Sequence, residues 1–186
     1  MFRNVFSEYE VRSQYIKLTT DDAYTAMSCV GTSEEELEVK VVTKNCRGVL
    51  AEEIITGTGS GTLTESLHVP YEIYNKIYAM THSTELDGVV SYGQLNTHPE
   101  FSITQEVYDE TGDLKYKAYP RCTIESGPTR SVENGAEEVA ELELEIKLLP
   151  DDYGQCMYEL LVSADTNGLA SSWLEGFTSD MVQATA

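Results

Sequence analysis

Leu142, Leu144, Ile146 and Leu148 alternate with Glu141, Glu143, Glu145 and Lys147 inside VAELELEIKLLPDD, Val139 to Asp152. Successive side chains of a strand point to opposite faces, so this stretch predicts a strand with one apolar side and one row of carboxylates. ELEVKVV, Glu36 to Val42, has the same character, with Leu37, Val39 and Val41 on one side and Glu36, Glu38 and Lys40 on the other. Ser33 and Glu36 have capping-box spacing, but the β-branched run that follows favours a strand. GVLAEEIIT comes after the turn at Asn45 to Gly48 and is placed to pair with it. FSITQEVY and LKYKAY flank the turn chemistry of DETGD and predict a long β-hairpin. QCMYELLVSA predicts a final strand. PYEIYNKIYAM breaks the alternation. Ile73, Ile77 and Met80 recur at helical spacing, Pro70 suits a first helical position, and Glu72 pairs with Lys76 four residues on, which predicts a helix over 70–81. A helix this short must pack on something, which assigns Tyr74 and Tyr78 to the core.

TGTGSGTLTESLHV carries glycines at 57, 59 and 61. A phosphate cradle needs a helix opening directly after its glycines, whereas Leu63, Leu67 and Val69 continue a strand here. Alternate glycines in a strand mark a bulge, a bend or close backbone approach. The first 30 residues show no clear pattern. DTNGLASSWLEGFTSDMVQATA is small and polar around Trp173, Leu174 and Phe177, and predicts a C-terminal arm over 165–186. The rest, 1–164, forms one domain. The resulting fold class is mainly β, with about eight strands forming sandwich- or barrel-type sheets, one short flanking helix and an extended terminal arm.

Charge narrows the functions available. The 186 residues carry 32 acidic and 12 basic side chains, a formal net charge of −20. Binding nucleic acid by charge requires Lys and Arg to displace counterions, so this balance argues against it, and likewise against anionic membranes. Four cysteines, at 29, 46, 122 and 156, include no CxxC pair. MFRNVFSEYEVRS lacks the apolar stretch of a secretion signal, and no run approaches the roughly 20 apolar residues of a membrane span. A cytoplasmic product with free thiols is the expectation.

The chemical constellations are weak. Neighbouring carboxylates among Glu141, Glu143 and Glu145 stand roughly 6.5–7 Å apart on a strand face, within the separation used by inverting glycosidases. A glycosidase, however, needs carboxylates facing each other across an aromatic cleft, and a single row is more simply a solvated face. His68, His82 and His98 are too scattered for a metal motif, and neither DETGD nor PDDYG matches a calcium loop. No catalytic residue, cofactor or metal site is expected.

Order of elements carries a family resemblance over residues 35 to 164. An acidic strand pair leads to GTGSGTLTESLHV, then to PYEIYNKIYAM as a single helix, then to a hairpin around YDETGDLKYKAYPRCTI, and NGAEEVAELELEIKLLPDDYGQCMYELL closes the pattern. This order resembles the major tail tube proteins of long-tailed bacteriophages, whose architecture contractile-tail and type VI secretion tubes share. The resemblance implies a β-sandwich with a flanking helix. Six copies would form a ring whose inner strands join into one barrel, and rings would stack into the tube through which DNA leaves the capsid. Implied partners are further copies of the chain, a tape-measure protein, a tail terminator and distal tail or baseplate proteins, with DNA in transit and no membrane. The implied location is the virion tail, assembled in the host cytoplasm. Glu141, Glu143 and Glu145, or Glu36 and Glu38, are then candidates to line the bore. Glu110, Thr111, Gly112 and Asp113 of the hairpin turn, and Trp173, Leu174 and Phe177 of the arm, are candidates for contacts between rings. The rival readings are a monomeric β-sandwich module binding carbohydrate or a cell surface, and a glycoside hydrolase.

Overall fold

A computed structural model describes residues 5–27, 29–47, 49–82, 85–135 and 140–184. Gly48 of the expected turn, Val139 and the last two residues of the expected arm lie outside them. Eight strands form one antiparallel sheet. They are β1 (Glu8–Leu18), β2 (Thr25–Ala26), β3 (Val30–Cys46), β4 (Val49–Leu67), β5 (Phe101–Asp109), β6 (Leu114–Ile124), β7 (Leu142–Leu148) and β8 (Tyr158–Leu161). Their order is β2-β1-β5-β6-β7-β4-β3, with β8 attached to β6. β6 is the corner. It pairs β8 over Lys115–Ala118 and passes to β7 over Cys122–Ile124. The sheet folds over there, so that β4 faces β1 and β5 across the interior, where the Glu65 carboxylate accepts hydrogen bonds from Gln14 and Gln105. The two layers expected of a sandwich are thus made by one bent sheet.

Burial follows the alternation. Leu144, Ile146 and Leu148 pack inward with Leu63 and Leu67 of β4, and with Ile16, Leu18, Phe101, Ile103 and Tyr119. Helix α1 (Tyr71–Ile77) covers this core with Ile73, Tyr74 and Ile77, and Tyr78 and Met80 join them. It is shorter than the predicted 70–81. Ala79 takes a left-handed φ of 49°, and the amides of Ala79 and Met80 bond back to Lys76 and Asn75, which ends the helix. β4 stops at Leu67, so Val69 is outside it, and the final strand is reduced to Tyr158–Leu161.

The segment expected as an arm is folded back. Helix α2 (Ala170–Gly176), bracketed by 3-10 turns at Val162–Ala164 and Ser179–Val182, packs on the opposite face of β5 and β6. Trp173 is 1% exposed and Phe177 is buried beside it against Ala118, Tyr116 and Tyr158. The Trp173 indole N–H donates to the Lys117 carbonyl, and Thr104 Oγ1 donates to the Leu174 carbonyl. Trp173 and Phe177 therefore close this chain's own second core, and Leu174 packs against it half-buried.

Candidate assembly surface

β3 and β4 are far longer than the sheet they belong to. β4 pairs with β7 only from Gly61 to Leu67. Beyond that point, among the described residues, the two strands pair only with each other, from Val39↔Gly57 to Cys46↔Val49. The departure is marked by a bulge. Leu37 faces Gly61 and Val39 faces Gly57, which leaves Thr58, Gly59 and Ser60 opposite Glu38 alone. Gly59 has φ +75°, and a Cβ there would stand 2.6 Å from the Gly154 carbonyl oxygen. Only glycine allows both that backbone and that approach. The Lys147 ammonium bonds Glu38 beside the bulge and ties the root of the hairpin to β7.

Two faces follow from the register. The face continuous with the core-facing side carries Leu37, Val39, Val41 and Thr43 of β3 with Gly57, Ile55 and Glu53 of β4. Val39 and Ile55 are each 60% exposed, because the chain's own core ends before it reaches them. The other face carries Lys40, Val42 and Lys44 with Thr56, Ile54 and Glu52, and Val42 and Ile54 are also exposed. Among the described residues, β3 is an edge strand along its whole length, and β4 is a second free edge beyond the bulge. Unpaired edges with exposed apolar side chains are a template for pairing with another chain, unless charge or cover prevents it.

The carboxylates converge on the second of these faces. At its root the register aligns Glu34, Thr64 and Glu145 in one cross-strand row, Thr32, Ser66 and Glu143 in the next row down, and Glu36, Thr62 and Lys147 in the next row up. Glu141 follows at the end, where Ser66 Oγ donates to it at 2.7 Å. Glu36 and Glu38 are therefore not alternatives to Glu141, Glu143 and Glu145. All five lie on one hydroxyl-and-carboxylate surface formed by β3, β4 and β7. Among the described residues, only Glu38 of these five has an ion-pair partner. The turn residues Glu110, Thr111, Gly112 and Asp113 are all exposed, and the Asp109 carboxylate holds the turn by accepting from the amides of Thr111 and Asp113.

Polar groups also lie inside, and pattern reading missed them. Glu65 is fully buried and accepts from Gln14 at 2.8 Å, Gln105 at 2.7 Å and Ser33 at 3.3 Å. Burial pushes its carboxyl up to about 7, against the opposing effect of those three donors. Nearby, the buried Lys117 ammonium sits among Glu8, Glu35 and Glu159, and the Tyr119 hydroxyl donates to Glu35. Burial acts to raise the Glu8 carboxyl, but hydrogen bonds from Lys115 and Lys117 outweigh it and hold Glu8 below its ordinary value. These groups line the cleft between β1 and β3 and pair across it, tying the first strand to the hairpin. His98 is held between the Tyr92 hydroxyl and the Ile124 carbonyl. Among the described residues no group of three or more His, Cys, Asp or Glu is placed to hold a metal ion. Cys29, Cys122 and Cys156 are free thiols.

No family model matches the chain, and no curated protein matches it. Among solved structures, a chain in the cryo-EM structure of the anti-feeding prophage (AFP) baseplate, 6-fold symmetrised, is similar with a TM-score of 0.44 and 10% sequence identity. The match covers 85% of this chain and 97% of that one. A likeness of this degree fixes neither family nor function.

Proposed function

We propose that this protein is a structural, non-enzymatic subunit of a bacteriophage tail tube. Copies associate side by side, six to a ring, with the β3–β4 hairpin of each joining the next into a continuous barrel. Rings stack into a conduit for DNA. The observation that carries this reading is the free half of the hairpin, which has two unpaired edges and exposed apolar side chains on both faces. A monomer in water has no use for such a feature, and closing a barrel removes the edges. The element order from residue 35 to 164 supports the same reading.

The two faces then divide the work. Leu37, Val39, Val41 and Ile55 lie in the plane of the core and pack on a neighbouring copy. The surface of Glu34, Glu36, Glu141, Glu143 and Glu145 faces the bore. DNA carries about one negative charge per 1.7 Å of helix axis, so a lining of carboxylates and hydroxyls lets it slide where a basic one would hold it. Screening confines that repulsion to about 8 Å at physiological salt, so the side chains at the wall matter and the net charge of the outer surface does not. The exposed turn at Glu110–Asp113 is available to other rings or to the proteins that end the tube.

Paired lysine substitutions test the reading. Val41→Lys with Ile55→Lys places two charges on exposed positions, so the monomer keeps its fold. Negative-stain microscopy and light scattering should show rings or rods for the unaltered protein and monomers for the variant. A monodisperse monomer from the unaltered protein at high concentration would instead favour a solitary binding module.

A further inference from the structure

Basic residues are scarce in this chain, yet three of the 12 fall within eight positions at the free end of the hairpin, Lys40, Lys44 and Arg47. All three are exposed. Lys40 and Lys44 stand on the same face of β3 as Glu34 and Glu36, because from Glu34 to Lys44 the extra residues of the bulge belong to β4 and not to β3. The contact between Lys147 and Glu38 fixes the parity on that face between the two groups. One surface therefore runs from acidic at its root, with Glu34, Glu36, Glu143 and Glu145, to a tip where Lys40 and Lys44 outnumber Glu52. The two ends are separated along a single strand, and the acidic end has no ion-pair partner among the described residues. Lys40 has none either, and Lys44 reaches only Glu52, at 4.0 Å with both side chains largely exposed.

A side chain cannot reach from one end of this strand to the other. Lys40 and Glu34 are six residues apart, about 20 Å at strand rise. Complementary charges at opposite ends of one molecule are satisfied by a second copy in the same orientation. A head-to-tail contact along the strand direction, with no rotation that closes a ring, generates a stack. We infer that the occupant of the hairpin tip is the acidic root of another copy of this chain. Lys40, Lys44 and Arg47 of one copy meet Glu34, Glu143 and Glu145 of the next, with Val42 and Ile54 supplying apolar contact between the lysines. The inference rests on the ring-forming reading and adds what sets the direction and register of stacking. It also sorts the charges on the proposed bore. Each lysine tip and the Glu34, Glu143 and Glu145 it meets neutralise one another along the wall, and Glu36 and Glu141 of each copy remain as its unpaired carboxylates.

Charge reversal tests it. Lys40→Glu with Lys44→Glu changes two exposed side chains, and circular dichroism and thermal melting check that the fold survives. Rings and rods are counted separately by microscopy, and rods are pelleted over a concentration series. The expected result is that the double variant still forms rings but needs a concentration higher by roughly tenfold or more to form rods, as expected when close charge pairs become repulsive. Adding Glu143→Lys and Glu145→Lys to the same chain should bring stacking back. Unchanged rod formation by the double variant overturns the inference, as does a fourfold variant that stacks no better than the double one. Either result, obtained with rings still present, leaves the ring reading standing. Absence of rings from the unaltered protein removes that reading instead.

Discussion

Glu65 has exchanged water for three hydrogen bonds, and the exchange does not favour its charged form. With a carboxyl at about 7 in the folded chain against an ordinary 4.5, the native state holds this proton more tightly than the unfolded one. The stability it contributes is fully present below about pH 4.5 and is lost as pH rises to about 7, after which it is flat. Glu65→Gln removes that slope. Urea titrations should show the variant gaining on the parent by about 3 kcal/mol between pH 4.5 and 7.5, and a difference constant with pH would contradict this. Glu8 and Glu100, held low by Lys and Arg partners, act in the opposite sense, but they are common to both proteins and cancel. Trp173 makes a simpler case. Its burial against β5 and β6 predicts that Trp173→Ala costs about 3–5 kcal/mol in the monomer. A loss below about 1 kcal/mol, with assembly abolished, would return this residue to the role of an anchor. Polar neighbours hide burial around both positions. Gln14 occupies a core-facing position of β1, and its polarity erased the alternation that Ile16 and Leu18 otherwise show. Trp173 and Phe177 sit among serines and glycines that cover no core themselves.

Among elements, strands were more legible than helices and ends. The alternation in β7, the β5–β6 hairpin around Asp109–Asp113, and the pairing of β3 with β4 were all readable, because a strand with one buried face writes its register into every second residue. What could not be read was where β4 leaves its neighbour. Three alternating glycines announced a bulge or bend, but Gly59 acts through the Gly154 carbonyl, far along the chain. Nor did the pattern separate two candidate acidic strands into rivals or partners. That required the order β7-β4-β3, which places Glu143 and Glu145 two strands from Glu34 and Glu36. The bulge is testable as an element. Gly59→Ala forces a side chain into a left-handed position and against a backbone oxygen, and should destabilise the monomer by at least about 1 kcal/mol. If the bulge also aims the hairpin, the variant should form rings poorly even well below its melting temperature. Normal rings and an unchanged melting point would show that the glycine is dispensable.

At the scale of the whole molecule, the chain is two constructions joined at one bulge. A bent sheet carries one core under α1 and a second, smaller one under α2 on the opposite face. From it a two-stranded ribbon projects whose described side chains, over 39–44 and 52–57, are all exposed, and which carries apolar and basic groups a monomer does not need. The central claim is that this ribbon is completed by other copies. The most direct measurement is a reconstruction by electron microscopy of the purified protein under conditions that favour assembly. The account predicts closed rings in which each hairpin is hydrogen-bonded to its neighbours in a continuous barrel, with Glu34, Glu36, Glu143 and Glu145 turned to the bore. Hairpins lying apart on the outside of the particle, or a bore lined by lysine and arginine, would contradict it.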